Sequence, residues 1–155
     1  MKALVVYDSV FGNTEKVAQA IAAALQTAVL PVSQATPEDL SGLDVLVIGS
    51  PTRGFRPTEG ISQLLNALAK DQLAGIGVAA FDTRIDLTTI DSSVFRFIVD
   101  KGGYAANTIA KALEKKGGNL LASPEGFLVT GEQGPLKDGE LERATAWAGQ
   151  IVLRV

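Results

Sequence analysis

The deciding stretch of this sequence is Leu4-Val5-Val6-Tyr7-Asp8-Ser9-Val10-Phe11-Gly12-Asn13-Thr14, an apolar run that ends abruptly in a polar loop. An alanine-rich helical pattern follows at once, so the stretch predicts a buried parallel strand that leads directly into a helix. The loop then lies at the carboxyl end of the strand and the amino end of the helix. Open α/β sheets bind ligands at that position, and unpaired helix N–H groups attract anions there.

The side chains of this loop favour a phosphate group as the ligand. Ser9, Asn13 and Thr14 offer hydroxyl and amide donors, and Gly12 allows the backbone to approach a ligand closely. The sequence therefore predicts a phosphate-binding loop. The alternative is that Ser9 and Thr14 only cap the helix.

Strand and helix patterns alternate along the rest of the chain, without a linker or a repeat. The fold class predicted is α/β: one domain over residues 1–155, with a three-layer, doubly wound, five-stranded parallel sheet of order 2-1-3-4-5. The predicted strands are residues 2–8, 28–32, 44–49, 76–81 and 120–129, the last interrupted at Pro124. The predicted helices are residues 13–26, 59–70, 105–115 and 138–154, with a capped turn at 36–40. Residues 82–103 are expected to open as a polar loop and then form a short amphipathic turn over 94–99.

Composition excludes several kinds of chemistry. The 155 residues include no cysteine and no histidine, which removes disulfides, thiolate nucleophiles, Cys/His zinc sites and Ser-His-Asp triads. Any reaction would therefore depend on a cofactor, and no metal site is expected. The net charge of −3 argues against nucleic acid or an anionic membrane as a partner. Without a signal peptide or an apolar run of about 20 residues, we expect a cytoplasmic protein.

The first loop also carries a family resemblance. The pattern Val5-Val6-Tyr7-x-Ser9-x-x-Gly12-x-Thr14-x-x-x-Ala18-x-x-Ile21 resembles the flavodoxin signature, and it is neither GxGxxG nor a Walker loop. The resemblance implies a short-chain flavodoxin-like protein that binds FMN noncovalently. It also implies that the 5′-phosphate is held by the residues that match the signature loop: Ser9, Val10, Phe11, Gly12, Asn13 and Thr14.

The same resemblance implies that the loops after the third and fourth strands contact the flavin ring. The residues concerned are Pro51, Thr52, Arg53, Gly54 and Phe55 in one loop, and Asp82, Thr83 and Arg84 in the other. Phe55 is the candidate for stacking on the ring, and Tyr104 is the candidate for its outer face. The alternatives are a surface turn at Phe55 and a tyrosine that only packs at a helix start.

The resemblance implies electron transfer from a reductase to an acceptor protein. An NAD(P)H-dependent quinone or flavin reductase is the alternative, and the oligomeric state stays open. A receiver-type signalling domain is disfavoured because Ser50-Pro51 stands where that class needs its phosphoacceptor aspartate.

Arginines near the ring would stabilise anionic reduced flavin by about 2 kcal/mol per charge at ~7 Å in an effective dielectric of ~20. We therefore expect a less negative second potential than in acidic flavodoxins, unless Arg53, Arg56 and Arg84 point outward or pair with Asp82, Asp86 or Glu59.

Overall fold

The structure is a computed structural model that describes residues 1–89, 93 and 103–155. Strands and helices alternate within these residues, and short 3-10 turns occur at Val32–Gln34, Pro37–Leu40 and Leu87–Thr89. The strands are β1 (Ala3–Tyr7), β2 (Ala28–Pro31), β3 (Val45–Pro51), β4 (Gly77–Ile85), β5 (Asn119–Leu120) and β6 (Glu125–Val129). The helices are α1 (Asn13–Leu25), α2 (Glu59–Ala67), α3 (Ala105–Lys115) and α4 (Glu140–Val152).

The strands form one parallel sheet of order β2-β1-β3-β4-β5, and β6 also pairs with β4. This arrangement confirms the predicted order 2-1-3-4-5, with the fifth strand divided into β5 and β6. The division falls around Pro124, which has no N–H to donate to the ladder. Because all the strands run in one direction, the loops that follow β1, β3, β4 and β6 meet at one edge of the sheet.

Helices cover both faces of the sheet because successive strand residues point to opposite sides. Val5 and Val47 pack with α1 and α4, whereas Val6 and Ile48 pack with α2 and α3. The α1/α4 side also holds an aromatic cluster whose ring centroids are 6.1–6.2 Å apart: Phe81, Phe127 and Trp147. These two cores make the three predicted layers.

Three local predictions are wrong. Residues 82–84 belong to β4 rather than to a loop, because β6 pairs with β4 as far as Ile85. Helix α2 ends at Ala67, three residues before the predicted end. The helical spacing of Leu141 with Ala144, Ala148 and Ile151 predicts that Leu141 faces inward, but it is 40% exposed, whereas Trp147 fills the core on that helix.

The predicted amphipathic turn at 94–99 lies outside the described residues. None of the helices found in residues 1–89, 93 and 103–155 is long and apolar enough to cross a bilayer.

Candidate functional site

A cavity of about 390 Å³ opens at the carboxyl edge of the sheet, between the loops that follow β1, β3, β4 and β6. Its walls bring together most of the predicted site residues. Those that line it are Val10, Phe11, Asn13, Thr14, Pro51, Thr52, Arg53, Gly54, Phe55, Thr83, Arg84 and Tyr104. Ser9, Gly12 and Asp82 do not line the cavity, although Asp82 binds the side chain of Arg84, which does.

The first loop presents several backbone N–H groups for which the described residues supply no acceptor. Gly12 adopts a left-handed conformation with φ of 93° as it enters α1. The hydroxyl of Ser9 accepts the N–H of Gly12 at 3.1 Å and that of Glu15 at 3.3 Å, which folds the loop back on itself. Within the described part of the chain, no acceptor lies against four other N–H groups of the loop, those of Val10, Phe11, Asn13 and Thr14. Unpaired N–H groups at a helix N-terminus form an anion site.

Thr14 is not a capping residue. Its Oγ1 lies 2.8 Å from Oγ1 of Thr83 in a buried contact that joins the first loop to the end of β4. Ser9 is not the N-cap of α1 either, since Gly12 holds that position without a side-chain hydrogen bond, but the hydroxyl of Ser9 accepts the N–H of Glu15 in the first helical turn. Asn13 donates from Nδ2 to the carbonyl oxygen of Gln133 at 3.1 Å, which ties the first loop to the loop after β6.

The second loop turns sharply beside the cavity. Arg53 and Arg56 exchange backbone hydrogen bonds of 2.8 and 3.1 Å around Gly54 and Phe55, whose φ values are 55° and 68°. Positive φ at both central positions defines a type I′ turn, in which Asn and Gly are favoured. Phe55 therefore carries backbone strain while its ring, 38% exposed, lines the cavity. Strained residues of this kind cluster at ligand sites.

The third segment is held by a buried carboxylate. Asp82 is fully buried and accepts Nε and Nη2 of Arg84, both at 2.8 Å, together with the N–H of Ala106 at 3.0 Å. Cζ of Arg84 lies 3.6 Å from the centroid of the Tyr104 ring. Asp82, predicted as a ligand contact, is instead the anchor of Arg84, because its carboxylate is engaged beneath the cavity wall.

A sequence model for the flavodoxin domain matches residues 4–89, more than half of the chain. This chain belongs to the flavodoxin domain family. Its fold is similar to that of oxidised flavodoxin 1 from Bacillus cereus, with 17% identity, a TM-score of 0.78 and coverage of 100% of this chain and 99% of that one.

The fold is also similar to flavodoxin 2 from Bacillus cereus, at 20% identity, a TM-score of 0.77 and complete coverage of both chains. Rubredoxin oxygen:oxidoreductase from Desulfovibrio gigas matches 98% of this chain with 35% of its own length, at 18% identity and a TM-score of 0.73. At these identities the likeness shows the fold alone.

Flavodoxin-family proteins bind a flavin, generally FMN, and the residues present fit that group. Four N–H groups of the first loop have no acceptor among the described residues, and they suit a phosphate because they supply hydrogen bonds and the positive end of a helix. The other end of the cavity carries the aromatic side chains of Phe55 and Tyr104 and the apolar side chain of Ile85, which suit a planar ring. The cavity volume lies within the range of small-molecule sites.

Four residues that line the cavity were not predicted from the sequence: Ile85, Val129, Gly131 and Glu132. Ile85 ends the unpredicted extension of β4, and the other three follow or end β6. A signal was available, because the loop after the fifth strand must also lie at the carboxyl edge of a parallel sheet. From the sequence, the glycine and proline residues of that loop, Gly131, Gly134 and Pro135, predict only a turn.

The three arginines that were expected to charge the ring site differ in their partners. Arg84 is paired with Asp82, so its charge is not expected to raise the second reduction potential. Arg53 and Arg56 make no ion pair within residues 1–89, 93 and 103–155, and Arg53 lies 5.9 Å from the ring centroid of Phe11. The positive charge of this site therefore lies at the second loop rather than the third.

Proposed function

We propose that this protein binds one FMN noncovalently and carries electrons from a reductase to an acceptor protein. The observation that supports this most strongly is the first loop, where four backbone N–H groups lack an acceptor among the described residues and open into an aromatic cavity. A loop of this kind is built for a bound anion rather than for internal packing.

At the phosphate end, the backbone does most of the binding. The N–H groups of Val10, Phe11, Asn13 and Thr14 would hold the phosphate, and the hydroxyl of Thr14 would add a further donor. Ser9 keeps the loop folded by accepting two backbone N–H groups. No lysine or arginine is required, because the helix dipole and the N–H groups together balance the phosphate charge.

At the ring end, the protein orients the flavin and excludes water. Phe55 and Tyr104 supply aromatic surface, and Ile85 and Val129 supply aliphatic surface. FMN, when bound, supplies the redox chemistry, since it accepts and releases electrons singly or in pairs. The described residues near the cavity offer no histidine or cysteine, so the chain contributes binding and electrostatics.

The exposed apolar residues of the first and second loops support a carrier. Val10, Phe11 and Phe55 are exposed, and all three line the cavity. Apolar surface at the mouth of a redox site suits contact with partner proteins, which must approach closely for electrons to pass.

A second candidate is an NAD(P)H-dependent quinone or flavin reductase. One observation favours it: Arg53 and Arg56 carry positive charge at the second loop without an ion-pair partner among the described residues. Guanidinium groups placed in this way suit the phosphates of a nicotinamide cofactor.

Two measurements test the function. Titration with FMN and with riboflavin, followed by flavin fluorescence, is expected to show FMN binding at least about tenfold more tightly, since charge-assisted hydrogen bonds contribute about 1.5–3 kcal/mol each. Equal affinities for the two ligands, or no binding of either, would contradict the phosphate assignment. Stopped-flow mixing with NADPH then separates the candidates. Bleaching only after a reductase is added supports the carrier, and rapid direct bleaching supports the enzyme.

A further inference from the structure

The side chain of Arg84 is held firmly beside the cavity. Its guanidinium makes two parallel hydrogen bonds of 2.8 Å to the fully buried carboxylate of Asp82. Asp82 also accepts the N–H of Ala106 in the first turn of α3. A bidentate pair of this kind fixes the plane of the guanidinium as well as its position.

The neighbouring strand leaves room for the guanidinium. A Cβ at Gly126 would lie 2.0 Å from Nε and 2.2 Å from Cζ of Arg84, so any larger residue would displace the side chain. Gly126 pairs in register with Asp82, which places the open position beside the carboxylate that binds the arginine. The absence of a side chain at Gly126 is therefore what allows the guanidinium of Arg84 to lie beside Asp82.

Tyr104 is the residue that this arrangement presents to the cavity. The guanidinium lies 3.6 Å from its ring centroid, a stacking distance, and both side chains line the cavity. A cation over an aromatic face is attracted by the ring quadrupole. Because Arg84 is fixed by Asp82, the stack also restricts the ring of Tyr104.

We propose that Arg84 is a positioning residue for the flavin ring: anchored by Asp82 and accommodated by Gly126, it holds Tyr104 ready to pack against the ligand. The proposal rests on the proposed function. The carboxylate of Asp82 compensates the charge of Arg84, so the pair acts through geometry and adds little net field at the ring. Arg84 thereby differs from Arg53, whose charge has no ion-pair partner among the described residues.

The first test needs no ligand. In a Tyr7→Phe background Tyr104 is the only tyrosine, and its ring-flip rate is measured by NMR in the ligand-free protein. Arg84→Lys keeps the charge but loses the bidentate, planar contact, so we expect ring flipping at least about tenfold faster. An unchanged rate overturns the proposal.

The second test compares ligand affinities. Arg84→Lys is expected to weaken FMN and riboflavin equally, by about tenfold, because the effect lies at the ring they share. Gly126→Ala, which displaces Arg84 without removing it, is expected to do the same. A loss confined to FMN, or no loss in either variant, overturns the proposal.

Arg143→Lys is the matched control, because Arg143 also pairs with a buried carboxylate and stacks on an aromatic ring outside the cavity. It is expected to lower Tm but to leave both affinities within twofold. An equal loss of affinity in this control would indicate general loosening of the fold and would overturn the positioning role.

The third test separates geometry from charge. In Asp82→Asn/Arg84→Gln, which removes both charges, the ratio of affinities for reduced and oxidised flavin is expected to change less than threefold. A tenfold change, equal to about 30 mV in the two-electron midpoint potential, would show that the flavin senses the charge of Arg84 and would overturn the compensation. Failure of the wild-type protein to bind FMN would overturn the proposed function and this inference together. Binding by the wild type with unchanged variants overturns the inference alone.

Discussion

Two regions of the molecule are built from the same three chemical groups. At the cavity, Arg84 pairs with Asp82 and lies 3.6 Å from the ring centroid of Tyr104. At the start of α4, Arg143 pairs with Glu140 through contacts of 2.6 and 3.0 Å and lies 4.6 Å from the ring centroid of Phe127. The two clusters meet at Gly126, which makes room for Arg84 and accepts Nη2 of Arg143 with its carbonyl oxygen.

The clusters differ in what the aromatic ring faces. Phe127 is fully buried among Phe81 and Trp147, whereas Tyr104 lines the cavity. The arginine side chains differ as well, since Arg84 is 21% exposed and Arg143 is 39% exposed. An arginine–carboxylate–aromatic cluster therefore supports folding or binding according to its surroundings, and the cluster itself does not decide which.

The largest expected effect is on stability, and it should differ between the two aromatic rings. Phe127→Ala removes a buried ring and is expected to lower the free energy of unfolding by about 3–5 kcal/mol, measured by urea denaturation. Tyr104→Ala is expected to cost about 1 kcal/mol of stability, because its ring borders a cavity rather than the core, but to weaken FMN binding. Equal losses of stability in the two variants would contradict the distinction.

The next effect concerns acid stability at the α4 cluster. Burial opposes ionisation of Glu140, but hydrogen bonds from Arg143 and from the N–H of Leu128 outweigh it and hold the pKa of Glu140 below its usual range. Because the folded-state pKa is depressed, this stabilisation is complete above the ordinary glutamate pKa and is lost as the pH falls through the folded value.

Glu140→Gln is therefore expected to lower stability by about 2 kcal/mol at pH 7 and by clearly less near pH 3. Urea denaturation between pH 3 and 7 measures the difference, and the exposed Glu142→Gln variant serves as the control. A loss that is the same at every pH would contradict the assigned ionisation.

A smaller effect on ligand affinity should distinguish the phosphate end of the cavity from the ring end. Thr83→Val removes the hydroxyl that contacts Thr14 at 2.8 Å while keeping its shape. We expect FMN to bind about fivefold more weakly, equal to about 1 kcal/mol, and riboflavin to be affected less than twofold. Thr83→Ser is expected to retain affinity, and its failure to do so would contradict the role of the hydroxyl.

The smallest expected effect concerns the strain on the cavity side. Phe55→Asn suits the type I′ turn and is expected to raise the free energy of unfolding by about 0.5 kcal/mol, while FMN binding weakens with the loss of the ring. Phe55→Leu keeps a side chain that disfavours positive φ and is expected to bring no gain. A destabilised Phe55→Asn protein would contradict the strain argument.

The sheet order and the first loop follow from local patterns, because strand length, helix periodicity and the polar loop between them are all contiguous in sequence. The features that sequence reasoning missed depend on partners far along the chain. Asp82 and Arg84 read as a polar loop, yet pairing with β6 draws them into β4 and buries the carboxylate. Glu132 enters the cavity wall only because β6 ends at the same edge. Leu141 has the right helical spacing but lies in the first turn of α4, where its neighbour Glu140 is buried instead.

The contact between Thr14 and Thr83 has a consequence for communication across the site. Each hydroxyl has a single hydrogen, and either residue can be the donor in the pair. If the hydroxyl of Thr14 donates to an anion bound at the first loop, it can no longer donate to Thr83. The hydroxyl of Thr83 must then donate to Oγ1 of Thr14. Anion binding at the first loop would thus fix Thr83 as the donor in the Thr14–Thr83 hydrogen bond and couple the first loop to the end of β4.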